Sequence, residues 1–147
     1  MLNDKVRKFL LNKGWLVTDD DKEYDSVISN LAIPYNSSFA DFQRYTTECT
    51  FSTTKGPELI NICWFSIYSG DFKALTNSLW KKRPGGNLPQ NYIPFSNRSG
   101  DSILLYDKIN QGIYYVNELE ISELIKGKFN PQWDDFNEFL EWYFDIN

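Results

Sequence analysis

The sequence predicts an α+β domain, a largely antiparallel sheet covered by helices. Two observations carry this. Residues 91–117 hold two short β-rich runs joined by a polar link, while helix-period patterns stand both before and after them. The runs are too few and too unevenly spaced for a doubly wound sheet. At 147 residues, with 17% aromatics, the chain reads as one domain, 1–147, with a packed core.

Asn3 or Asp4 can cap a first helix with Val6, Phe9 and Leu10 on one face and Gly14 just past its end. The acidic run Asp19–Glu23 departs from a calcium-binding loop, because Tyr24 and Asn30 stand where glycine and a bidentate glutamate belong. It reads instead as carboxylates at a helix N-terminus, followed by Tyr24, Val27, Ile28 and Leu31 at helical spacing. Ser37 or Ser38 starts a third helix carrying Phe39, Phe42 and Tyr45, with Asp41 placed to answer Ser38 in a box-like pair. Residues 47–54 read as an edge strand or loop.

Leu59–Tyr68 is the longest apolar run, and its isoleucine and aromatic content predicts a buried strand. Ser69-Gly70-Asp71 opens a helix with Phe72, Leu75 and Leu79 inward, ended by Lys81-Lys82-Arg83 and Pro84-Gly85-Gly86. That order is the reverse of a phosphate-binding loop and matches cationic helix capping. Ile93-Pro94-Phe95 then leads into Ile103–Tyr106 and Gly112–Val116, an antiparallel hairpin. Ile121, Leu124 and Ile125 form a short helical turn stopped by Gly127. A last helix is predicted over 132–145, with Trp133, Phe136, Leu140 and Tyr143 on one stripe and Asp134, Glu138, Glu141 and Asp145 on another.

Composition excludes several chemistries. With no histidine, a Ser-His-Asp or Cys-His unit is impossible. Two cysteines, Cys49 and Cys63, cannot make an ordinary zinc site, and both are expected to be reduced and buried. No cofactor or metal is expected. Neither a signal peptide nor a membrane-length apolar run is found, so the expected compartment is the cytoplasm. The net charge is −5, unevenly spread: residues 101–147 hold ten acids and three bases. Such a surface attracts basic partners and repels nucleic acid.

The apolar-Pro-Phe entry, the Gly100-Asp101 turn, the strand ending at Asp107 and the Gly112-led strand together resemble the SUKH superfamily. So does the acidic, aromatic segment Trp133–Asp145. Upstream, Ile33-Pro34 and the Phe39–Phe42 helix are similar to the family's Leu-Pro entry and first helix. Thr46-Thr47-Glu48 stands where the family often has Asn-Gly. The superfamily includes fungal cell-wall-synthesis regulators and bacterial immunity proteins. The resemblance implies a non-enzymatic protein that binds and neutralises a cognate toxin, often a nuclease. The charge map, and not the resemblance, selects Glu118, Glu120, Asp134, Glu138, Glu141 and Asp145 as partner-binding candidates. The alternative is an intracellular regulatory or scaffold domain. A glycosidase-like use of Asp101 and Asp107 is the third reading, although turn capping accounts for both.

Overall fold

The computed structural model describes residues 1–82 and 86–147. Its architecture is α+β: α1 (Asp4–Lys13), α2 (Lys22–Asn30), α3 (Ser38–Tyr45), α4 (Ile62–Tyr68) and α5 (Gly70–Trp80) precede a small sheet. The sheet is β1 (Tyr92–Pro94), β2 (Ser102–Asp107) and β3 (Ile113–Asn117), followed by α6 (Ile121–Ile125) and α7 (Phe136–Tyr143). The strands form an antiparallel meander in the order β1-β2-β3. Ile93 faces Tyr106 across the first pair and Leu104 faces Tyr115 across the second.

Local chemistry sets most helix ends. Asn3 accepts from the Val6 amide, and Gly14, at φ 73°, takes the left-handed position that closes α1. Asp21 accepts from the Glu23 and Tyr24 amides and starts α2. Ser37, rather than Ser38, caps α3 by accepting from the Ala40 amide. The expected Ser38–Asp41 box is absent because Asp41 is taken elsewhere: its carboxylate accepts from the Leu2 amide, 3.2 Å away. Arg83, Pro84 and Gly85, expected within the run that ends α5, lie outside the described residues.

The main correction concerns residues 59–68, where only the first few are extended. Leu59 makes a bridge to Thr50, and Phe51 donates to the Glu58 carbonyl. Then Asn61 caps a helix by accepting from the Trp64 amide. Ile62, Cys63 and Phe65 are buried in α4. Gln43, fully buried, fixes the transition: its amide donates to the Ile60 carbonyl (3.1 Å) and accepts from the Ile62 amide (2.7 Å). A tertiary clamp and a helix cap thus override the β propensity of the run.

The core lies between the sheet and helices α3 and α7. The Phe39 ring stacks on Tyr106 at 3.9 Å and meets Phe95 and Phe136 edge-on at 5.3 and 5.0 Å. Phe139 and Leu140 are fully buried beside them, consistent with core roles. The β2–β3 turn is held by Asp107, 4% exposed, which accepts from the Ile109 amide and the Asn91 side chain. At Gly112 an added Cβ would lie 2.6 Å from the Pro131 Cβ, so the turn and the 131 segment approach too closely for a larger residue.

Candidate functional site

The six acidic candidates divide by what each carboxylate touches. Glu118 sits 2.6 Å from the Arg98 guanidinium and Glu141 3.1 Å from the Lys5 ammonium. Asp145 pairs with Lys55, which also donates to the Trp142 carbonyl. Glu120 accepts from the Asn117 amide and Glu138 from the Asp134 amide, each at 2.8 Å. Only the Asp134 carboxylate has no protein partner among the described residues. These acids therefore serve the chain's own fold first.

The stripe expected along one helix is not formed as a stripe. Helix α7 begins at Phe136, with Asp135 as its cap, so Asp134 precedes it. Asp145 follows it in a left-handed backbone conformation, φ 54°. The late start of α7 follows from the free edge of β3. Ile113 donates to the Trp133 carbonyl at 2.9 Å, and the Gln132 amide donates back to Ile113 at 3.0 Å. The Gln132 side chain brackets the Tyr115 backbone from both sides. Residues 132–133 are thus drawn out as an edge cover, which protects unpaired strand groups.

Glu118 and Glu120 are brought together with something the charge map missed. Asn117 ends β3 and caps a 3-10 turn over Glu118–Glu120, in a reciprocal box with Glu120. Leu119 projects from this turn and is 87% exposed. Its amide donates to the Asn117 side chain, and the Glu118 amide donates to the Asp101 carbonyl at 2.9 Å. The result is a pinned convex corner: an apolar tip between two carboxylates. The sequence signal was Asn117-x-x-Glu120, a box that forces a turn and turns the side chain between outward.

The acidic run at 19–23 is absorbed structurally. Arg44 donates to Asp25 at 2.7 Å and reaches Asp20 at 3.5 Å, with its guanidinium 4.2 Å from the Tyr35 ring centroid. Among the described residues no group of three or more His, Cys, Asp or Glu side chains could hold a metal. Both cysteines are free: Cys63 is buried, and burial pushes its thiol well above the usual range, which suppresses the nucleophilic thiolate. Cys49 is half-buried rather than buried. No helix among the described residues is long and apolar enough to cross a membrane.

No protein-family model, curated protein or solved structure matches the chain.

Proposed function

We propose that this protein binds a cognate toxin domain and neutralises it stoichiometrically, without turnover, as an immunity protein of the SUKH kind. The observation that carries the reading is the corner at 117–120, with Leu119 exposed at 87% between Glu118 and Glu120. Burying one leucine side chain contributes about 1.5–3 kcal/mol. Because the turn is already pinned by its capping box, little ordering entropy opposes binding. The Glu120 carboxylate, which has no cation partner among the described residues, raises the encounter rate with a basic partner. Toxins that act on nucleic acid are basic where they hold phosphate.

The acids of the C-terminal side do not form a free acidic face, since five of the six candidates are engaged within the chain. Exposed ion pairs contribute only about 0–1 kcal/mol each. Glu118, Glu141 and Asp145 can therefore exchange Arg98, Lys5 and Lys55 for a partner's cations at small cost.

The test is co-expression with a basic toxin domain encoded beside this chain. Growth rescue and a stable complex are expected, and Leu119→Asp should weaken the complex about tenfold to a hundredfold, with rescue reduced accordingly, while leaving thermal unfolding unchanged. Rescue by Leu119→Asp at parental level would move the contact away from this corner. Failure of the parent chain to form any complex would remove the function itself.

A further inference from the structure

We infer that the cleft between the C-terminal end of α1, the 50–54 loop and the end of α7 binds a small planar aromatic anion of the mononucleotide class. Nothing in this inference depends on toxin binding. The cleft encloses about 600 Å³, within the roughly 300–1,000 Å³ typical of small-molecule sites. Its floor is aromatic. Phe9 stacks on Phe144 at 5.0 Å, and Trp15 meets Phe144 at 5.8 Å. Phe51, 5% exposed, backs this layer from below at 5.1 Å from both Trp15 and Phe144. Phe9, Trp15 and Phe144 are only half-buried, so each keeps part of a ring open toward the cleft.

The rim supplies the opposite chemistry. Lys13 lies 5.7 Å from the Phe9 centroid and 5.9 Å from that of Trp15, and has no carboxylate partner among the described residues. The exposed residues Thr50, Ser52 and Thr54, each bearing a hydroxyl, also line the cleft. Lys55 and Asp145 also line it, as an ion pair. Two lysines and one aspartate thus line this cleft, which is net positive on a chain whose net charge is −5. An ammonium and several hydroxyl donors beside a stacking surface suit a phosphate carried on a flat ring. The acidic remainder of the surface opposes a nucleic-acid polymer, which favours a single nucleotide.

The probes are adenosine 5′-monophosphate, adenosine and inorganic phosphate, each titrated into the full-length protein and followed by calorimetry and amide chemical shifts. The monophosphate should bind about tenfold or more tightly than either fragment, with shifts centred on residues 9–15, 50–55 and 143–145. Lys13→Glu, at an exposed position, should weaken binding about tenfold or more and lower the thermal unfolding temperature by only a few degrees, the size expected for one charge at a helix C-terminus. The inference is overturned if the monophosphate causes no shifts at about 10 mM, a concentration that detects even weak complexes. It is equally overturned if binding is indifferent to Lys13→Glu, or if adenosine binds as well as its phosphate.

Discussion

Replacing Gln43 with leucine keeps the volume of the side chain but removes both of its hydrogen bonds. Gln43 is fully buried, and its amide is the partner of the Ile60 carbonyl and the Ile62 amide. Both backbone groups lie at buried positions where water cannot replace the lost partner. Each orphaned group costs about 1–3 kcal/mol, so the substitution should cost about 2–6 kcal/mol. That is a large share of the roughly 5–15 kcal/mol that holds a typical domain. For a chain of this size it corresponds to a fall of about 5–15 °C in Tm. The assay is urea unfolding followed by tryptophan fluorescence, with amide exchange at Ile62 as a local readout. Exchange at Ile62 should accelerate even where Gln43→Leu remains folded. A loss below about 1 kcal/mol, the size of an ordinary surface change, would refute the clamp as the device that sets the start of α4.

Other perturbations test the remaining parts. Gly112→Ala should destabilise by about 1–3 kcal/mol through overpacking against Pro131, and Pro131→Gly in the same chain should recover part of the loss in urea unfolding. Stability should fall on the alkaline side. Burial pushes the Tyr24 and Tyr106 hydroxyls up to about 12, and that of Tyr143 higher still. Above the ordinary tyrosine value of about 10, the unfolded chain releases protons that the folded chain retains. Stability is therefore fully present below pH about 10 and is lost as pH rises through the folded values, which urea unfolding at pH 8 to 12 and tyrosinate absorbance can follow. Glu138→Lys with Glu141→Lys should lower affinity for a basic toxin domain and flatten its salt dependence, and should also lower Tm by a few degrees, because Glu138, in the first turn of α7, accepts from the Asp134 amide and Glu141 pairs with Lys5.

What the sequence made legible was local. Asn3 and Gly14 bracket α1, Asp21 starts α2, and Gly127, in the left-handed region at φ 74°, stops the turn after α6. The β2–β3 hairpin follows from two β-rich runs and a polar link. Each of these is decided by neighbours a few residues apart. What was missed was decided from far away. Helix α4 depends on Gln43, a long-range partner, although Asn61 was a visible cap inside the apolar run. The start of α7 depends on β3 capturing residues 132–133 as an edge cover. Asp41 serves Leu2 across 39 positions of sequence rather than its own helix.

The site divided in the same way. The acidic excess of the last third could be counted, but the partners that neutralise it could not. Lys5 reaches Glu141 across 136 positions and Lys55 reaches Asp145 across 90. Composition does not single out Leu119, whose exposure follows from its place in the 3-10 turn over Glu118–Glu120. The aromatic cleft draws Phe9, Trp15, Phe51 and Phe144 from three distant segments, and no spacing rule joins them.

Titrating a neighbouring-gene toxin domain with this protein, and reading residual toxin activity against molar ratio, tests the central claim most directly. Activity should fall linearly and vanish at one equivalent, with the two chains recovered intact in a single complex. Toxin inactivated by far less than one equivalent would mean turnover, and toxin still active in excess would mean no inhibition; either result contradicts the account.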